Sequence, residues 1–357
     1  MITTPPLKDL REKIDLLDDQ ILSLISRRAK IAQEVAKAKQ GESTYRPGRE
    51  AQILSRMAAQ NASPLPAEAV QGIFREIIAA CRQLQETTTI AYLGPAGTYS
   101  EAAARLHFGS TSTLVPQPNL AEVFATAEKG TTRLGVVPIE NSIEGTVNPT
   151  LDLLRQTPLQ VVGEIMLPIH HQLLTKAKKL EEITEVSAHP QALAQCQRWL
   201  AHNLPKATLR EVSSNTEGAR LAAENPHAAA VAGKSAAGLY HLEILATNIE
   251  DQSTNTTRFL VLGGATPAPS GHDKTSLLAI TPNQPGALHH LLDCLARHDI
   301  NMTKLEARPS RENNWDYVFY IDIQGHQDDP SVQLALRDLR KTATFIKILG
   351  SYPAAKA

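Results

Sequence analysis

Apolar residues recur at Leu10, Ile14, Leu17, Ile21 and Leu24, then at Ile31 and Val35. The alternating steps of four and three trace one face of a helix. The position missing from that series holds Arg28. The helix is predicted to run to about Gln40 and stop at Gly41. The segment GESTYRP reads as a turn, after which Pro47 can open a second helix. SPLP separates that from a third, with Val70, Phe74, Ile77, Cys81 and Leu84 on one face. A different texture begins at Thr88. Short apolar strands (TIAYL, LGVVP, VVGEIML, TEVSA, AAVAG, RFLVLG) then alternate with helices to about Gly264. This alternation predicts an α/β unit with mostly parallel sheets.

GGATPAPSGHD, rich in Gly, Pro and Ala, reads as a linker. Beyond it come KTSLLAIT, a helix from Pro285, NMTKLEARPS, YVFYIDIQG, a helix from Ser331 and FIKILGSY. That order is βαββαβ, the α+β ferredoxin-like arrangement. The chain is therefore multidomain: all-α over residues 1–86, α/β over 88–265 and α+β over 274–353. Its 357 residues suffice for three such units. The net charge of −1 gives no basic field for nucleic acid. No leader pattern or membrane-length apolar run stands out. Cys81, Cys196 and Cys294 are too scattered for a metal or disulfide framework. A soluble cytoplasmic protein is expected.

Arg28 invites two readings. Its stem can lie on the seam with its head in water. Alternatively it binds an anion inside the bundle, since a buried unpaired guanidinium is too costly and carboxylates match its fork. Its neighbours favour the second reading. Lys39 lies almost three turns on and points the same way. Glu50 shares the inward face of Ile53 and Leu54, and Gln85 follows Cys81 by four. Arg11 and Lys39 would be ~42 Å apart on a straight helix. If both touch one small ligand, one of them must come from a two-fold partner.

LREKID, SRRAKIAQEVAKAK, REAQIL and the Gln85 region resemble the all-helical class of chorismate mutase. The resemblance implies that Arg28, Arg49 and Arg11 of the partner subunit hold the two carboxylates of chorismate. It further implies that Lys39 and Gln85 donate to the ether oxygen, that Glu50 receives the ring hydroxyl, and that Cys81 takes a substrate-contacting position often held by Ser. Arg46 occupies a turn where some relatives carry an acid. A Claisen rearrangement needs a compressed conformer and donors at the breaking C–O bond, not a nucleophile.

In the middle unit an apolar strand three times precedes Ser, Thr or Asn at a helix start: IAYLG before PAGTYS, LGVVP before IENSIEGTVN, and LREVS before SNTEGA. Thr98–Glu101 and Ser214–Glu217 read as capping boxes. Simple capping explains any one of these. Three together suggest a cleft of helix N-termini suited to carboxylates. AVAGKS is no phosphate loop, because Ala228 stands where a glycine is needed. His170–His171 and His289–His290 are adjacent pairs, which on a strand point to opposite faces, and imply no metal site.

YLGPAGTYS, VVPIENSIEGTVN, HPQALAQC and NTTRFLVLG resemble prephenate dehydratase. The implied fold is two-lobed and periplasmic-binding-protein-like. The implied contacts are Asn148, Gln195 and Thr257 as catalytic polar groups, with Thr98, Ser100 and Asn141 at the substrate. Glu140 and Asn141 also brace their loop. Threonine has the wrong pKa for an efficient general acid, so Thr257 is assigned a donor role. Ala188 replaces a serine common in the family, and Ser187 would face the other way.

NQPGALHHLL and LEARPS resemble the ACT regulatory domain. The resemblance implies a phenylalanine site at Asn283, Gly286, Ala287, Leu288, Glu306 and Arg308, between paired ACT domains, with Ala307 in a serine's place. The combined expectation is an enzyme turning chorismate, through prephenate, into phenylpyruvate under phenylalanine control. It needs no cofactor or metal and acts as a homodimer or a pair of dimers, away from nucleic acid and membrane. The rivals are a dehydratase whose helical block only dimerises it and a carboxylate-binding sensor without turnover.

Overall fold

The structure is a computed structural model and describes residues 6–38, 45–309 and 317–355. Three helices come first: α1 (Leu7–Ala38), α2 (Pro47–Ala59) and α3 (Ala67–Gln83). Pro47 sits in the first turn of α2, where its missing N–H has no partner to lose. α1 leans on α3, yet none of its residues is buried. Ile14, Leu17, Ile21, Leu24 and Ile31, the expected seam, all stay more than half exposed. The seam is present in the pattern but uncovered among the described residues of one chain. α3 instead docks on the α/β unit, and α2 on the last strand of the chain. Tyr45 is buried with Ile90, Phe108 and Val162, and its hydroxyl meets His107 Nε2 at 2.6 Å.

The first α/β lobe holds β1 (Thr89–Leu93), α4 (Tyr99–Phe108), β2 (Thr113–Gln117), α5 (Leu120–Glu128), β3 (Leu134–Asn141), β4 (Gly145–Thr146), α6 (Asn148–Gln156) and β5 (Gln160–Pro168). The second holds β6 (Gln172–Thr175), β7 (Glu185–Ala188), α7 (Pro190–Gln195), α8 (Gln197–Asn203), β8 (Thr208–Glu211), α9 (Asn215–Glu224), β9 (Ala228–Ala232), α10 (Lys234–Tyr240) and β10 (Glu243–Ala246). The chain then re-enters the first sheet as β11 (Thr256–Gly263). Strand orders are β2-β1-β3-β11-β5 and β10-β6-β9-β7-β8, with β4 beside β3. Two connections therefore join the lobes, and a cleft lies between them.

The sheets are mixed, not mostly parallel. β1 runs parallel to β2 and β3, and β7 to β8 and β9. β11 is antiparallel to both β3 and β5, and β6 to β9 and β10. Parallel pairs need a crossover helix. β11 arrives from the other lobe without one, so it runs against its neighbours.

The last unit is β12 (Asp273–Ile280), α11 (Ala287–Ala296), β13 (Met302–Pro309), β14 (Tyr317–Gln324), α12 (Pro330–Thr342) and β15 (Phe345–Pro353). Its antiparallel sheet has the order β13-β14-β12-β15, as the βαββαβ reading requires. Leu277, Ala279, Phe319 and Ile321 pack against the helices. Leu278, Tyr320, Leu349 and Tyr352 face the other way, into one core with Leu151, Val161 and Leu260 of the first lobe. Burial of both faces explains why these strands read as continuous apolar runs. Among the described residues, no helix is long and apolar enough to cross a membrane.

Candidate active sites

In the helical block the polar centre is Glu50. Arg82, only 4% exposed, donates Nη1 to Glu50 Oε1 at 2.6 Å and Nη2 to the Phe108 carbonyl at 2.9 Å. The rings of Tyr45 and Phe108 lie 5.7 and 5.4 Å from its guanidinium carbon, a cation–π arrangement. Burial pushes the Glu50 carboxyl up, while the charges of Arg82 and Arg28 pull against that shift. Arg28, half-buried on α1, is thus in the electrostatic neighbourhood of Glu50. Cys81 is buried, and Gln85 is half-buried just beyond α3.

Arg49 looks elsewhere. It lines a hollow of about 790 Å³ with Arg46, Gln52 and Arg133. Glu50 lines another, of about 310 Å³, with Gln71, Arg75 and His107. Neighbours on a helix diverge by ~100°, so a single chain does not aim both at one space. Arg11 is exposed and lies roughly 26 Å along α1 from Arg28. Lys39 falls outside the described residues. Of the expected set, one chain brings Arg28 and Glu50 together. Arg82 was not anticipated; an Arg beside Cys81 reads as ordinary surface until the α/β unit covers it.

The cleft between the lobes has a volume of about 910 Å³. Thr98, Ser100, Asn141, Gln195 and Thr257 all line it, together with the α9 start at Ser214–Glu217. Thr98 caps α4 by accepting from the Glu101 N–H, and Ser214 caps α9 by accepting from the Glu217 N–H. The boxes are not closed as expected. Glu101 accepts from the Gly97 N–H at 2.6 Å, and Glu217 pairs with Arg220. Asn148, expected as a catalytic contact, opens α6 on an exposed position outside this lining. Its carbonyl accepts from Arg308 at 2.8 Å. Asn141, at the end of β3, supplies the amide in the cleft instead. Ser187 is buried with its hydroxyl 3.3 Å from Glu185, so it does not stand in for the serine that Ala188 replaces.

Asn141 anchors the polar array. Its Oδ1 accepts from the N–H groups of Ile143 and Glu144, each at 3.0 Å. Its Nδ2 donates to Asn255 Oδ1 at 2.7 Å and to Thr257 Oγ1 at 2.9 Å. Thr257 accepts there, so its own hydroxyl proton is available to a ligand. Asn255, 2% exposed, then donates to Gln195 Oε1 at 3.1 Å, joining the lobes. Sequence reasoning missed Asn255, although it lies two before Thr257 and period two puts both on one side. It also missed His171 and Tyr99, which continue the array beyond Gln195.

The ferredoxin-like unit braces this same loop. On β13, Lys304, Glu306 and Arg308 alternate with exposed residues and face the α/β unit. Lys304 pairs with Glu140 at 2.7 Å and Arg308 with Asp152 at 3.2 Å. Glu306 Oε2 accepts from Thr146 at 2.8 Å. Neighbouring residues of β11 divide the work. Thr257 lines the cleft, while Arg258, pointing the other way, bonds Glu164, Asp322 and Tyr352 at 2.7, 2.5 and 2.9 Å. Gly286 precedes α11 with φ +79°, the left-handed region that suits glycine. Asn283 is exposed, Ala287 buried and Leu288 half-buried.

A helical block with an Arg–Glu centre, a two-lobed cleft of amide and hydroxyl donors, and a sheet unit clamped to the loop after Asn141 define a multidomain enzyme with two separate sites and a regulatory module. Three family models tile the chain: chorismate mutase type II over residues 10–86, prephenate dehydratase over 90–267 and the ACT domain over 275–341. A bifunctional chorismate mutase/prephenate dehydratase from Neisseria gonorrhoeae is 45% identical over 348 residues, 97% of this chain and 96% of that one. The chain belongs to the bifunctional chorismate mutase/prephenate dehydratase family. Among solved structures, prephenate dehydratase from Arthrobacter aurescens in complex with L-Phe is similar, with 34% identity and a TM-score of 0.70, covering 75% of this chain and 90% of that one. A protein described as a novel type of quorum quenching acylase, GqqA, is 32% identical with a TM-score of 0.69, over 75% and 98% of the two chains. The shared fold alone therefore does not name the reaction.

Proposed function

We propose that the helical block rearranges chorismate to prephenate and that the cleft converts prephenate to phenylpyruvate, under control by phenylalanine at the ACT unit. The observation that carries the dehydratase reading is the directed array ending at Thr257. Loss of carbon dioxide and the ring hydroxyl is driven by aromatisation. The cleft must orient the leaving groups and stabilise a departing hydroxide. Thr257, polarised by Asn141, is placed to donate to that oxygen, and Gln195 spans the lobes to hold the ring. Helix starts at Tyr99 and Asn215 bring N–H groups to the substrate carboxylates.

For the mutase, Arg28 takes a carboxylate and Glu50, fixed by Arg82, takes the ring hydroxyl. Arg11, Lys39, Arg49, Cys81 and Gln85 complete the assignment in a two-fold dimer whose interface is the uncovered α1 face. That dimer brings Arg11 of the partner subunit across to Arg28. The setting is the cytoplasm, in keeping with three free, buried cysteines among the described residues. Purified protein given chorismate, with prephenate and phenylpyruvate followed separately, should release both in that order. Prephenate accumulating without phenylpyruvate, or no consumption of chorismate, defeats one half of the reading.

Phenylalanine at Asn283, Gly286, Ala287 and Leu288 would act through β13. Glu306 and Arg308 then serve as the brace between effector and cleft, since both hold the loop carrying Asn141 and Thr146. A ligand shifts a conformation only by its differential affinity for two states, and coupling of ~1–3 kcal/mol is typical. Gly286→Val puts a β-branched side chain at a left-handed φ. Calorimetry should show phenylalanine binding lost, while prephenate turnover without effector survives. Unchanged sensitivity to phenylalanine would place the effector site elsewhere.

A further inference from the structure

The cleft array has a direction, and it can be followed from a fixed end. Backbone N–H groups can only donate, so those of Ile143 and Glu144 identify the Asn141 atom they meet as its oxygen. The Asn141 amide nitrogen must then donate to Asn255 Oδ1. That leaves Asn255 Nδ2 to donate to Gln195 Oε1. The same Gln195 oxygen lies 2.9 Å from His171 Nε2. Its amide nitrogen faces Glu144 Oε1 at 3.3 Å. Turning the Gln195 amide over would oppose nitrogen to nitrogen at Asn255 and oxygen to oxygen at Glu144. The orientation is therefore set, and His171 Nε2 must carry a proton.

At the other side of the ring, His171 Nδ1 lies 2.9 Å from the Tyr99 hydroxyl. Tyr99 has one proton and a second acceptor, the His170 carbonyl, also at 2.9 Å. A neutral ring protonated at Nε2 presents Nδ1 as a second acceptor, so the phenol proton is shared between Nδ1 and the His170 carbonyl. His171 is 2% exposed, and its main-chain N–H is held by Glu250 Oε2 at 2.8 Å. Burial depresses its basicity, while the Gln195 bond and the Glu250 charge pull the other way and the neighbouring His170 adds to the depression. The net direction is down, which favours the neutral ring.

We propose that His171, held by Tyr99 as the neutral Nε2–H tautomer, is a positioning residue that together with Asn255 holds the Gln195 carbonyl, so that the Gln195 NH₂ meets Glu144 on the cleft wall. This rests on the dehydratase reading of the cleft. Neither His171 nor Tyr99 is required to touch the reacting atoms. Their role is to hold Gln195 across the lobe boundary, opposite the Asn141–Thr257 end that the Ile143 and Glu144 N–H groups fix.

The test uses the full chain with ¹⁵N-labelled histidine, the His171 resonances being assigned by their loss in His171→Gln. The parent should show Nε2 protonated and Nδ1 unprotonated at neutral pH. Tyr99→Phe should leave Nε2 protonated, as the Gln195 oxygen requires, shift the Nδ1 resonance, and lower kcat for prephenate roughly tenfold, the worth of about one neutral hydrogen bond, with KM little changed. His171→Phe should lose more, and His171→Gln, which keeps an N–H within reach of Gln195, should recover part of it. Retained chorismate rearrangement and an unchanged circular dichroism spectrum certify the fold. A parent ring protonated at Nδ1, or charged at neutral pH, overturns the tautomer. The expected tautomer with unchanged kcat in both Tyr99→Phe and His171→Phe overturns the positioning role. A parent that does not turn over prephenate at all defeats the dehydratase reading instead, and the tautomer is still read directly.

Discussion

Thr257→Ala should cut prephenate turnover by roughly 10²–10³-fold, the usual loss when one transition-state donor is removed, and leave chorismate rearrangement at the parent rate. The asymmetry follows from where the groups lie. Thr257 closes the Asn141 array in the cleft, in a different unit from the helical block. Its loss removes a hydroxyl from a half-buried position without opening a large cavity, so the fold should survive. Arg28→Ala should produce the mirror image. It deletes a guanidinium whose charge is felt at Glu50 and should lower mutase turnover by a comparable ~10²–10³-fold, while added prephenate is still dehydrated. Separate assays of the two steps on each variant, with circular dichroism as a check, decide the matter. Parallel loss of both activities in either variant would mean that the sites are not separate.

Arg11→Ala and Arg28→Ala, each inactive as a mutase alone, should restore activity to each other when mixed and re-equilibrated. The reasoning starts from α1. It is 32 residues long with no buried residue, and its apolar face stays exposed among the described residues. Arg11 and Arg28 are too far apart on it to grip one small substrate. A two-fold partner crossing α1 solves both problems at once. In a hybrid dimer one site then carries both lesions and the other neither. In a 1:1 mixture about half of the dimers are hybrids with one intact site each, so about a quarter of parental activity should return. Proven subunit exchange without recovery would assign Arg11 to its own chain.

Much of the architecture was legible because each unit has its own period. The 3.6-residue period of α1, two of the three strand–cap–helix repeats and the βαββαβ order carry through to the structure, while α6 starts after Val147 without a side-chain cap. Sheet polarity was not legible. A strand's residues do not say which neighbours it will pair, and β11 pairs with β3 and β5 only after the chain has built a second lobe. Site residues divide along the same line. Gln195, Thr257, Thr98, Ser100 and Asn141 lie in strong local motifs and do meet in the cleft. Asn148 shares a motif with Asn141 but falls beyond the turn, on a helix start facing the ACT unit.

By itself, the sequence determined what is local: helix faces, caps, strand alternation and the residue types that could bind a dicarboxylate. Those depend on neighbours within a few positions along the chain, where backbone geometry leaves little choice. Only the tertiary structure decided which of those groups meet. It placed Arg82 under Glu50 by covering α3 with the Phe108 carbonyl. It linked Tyr99, His171, Gln195, Asn255 and Asn141 across two lobes, and it turned Glu306 and Arg308 onto Thr146 and the start of α6. Each of these contacts joins residues far apart in the chain, and a buried polar group takes whichever partner the fold delivers, because leaving it unpaired costs about 1–3 kcal/mol.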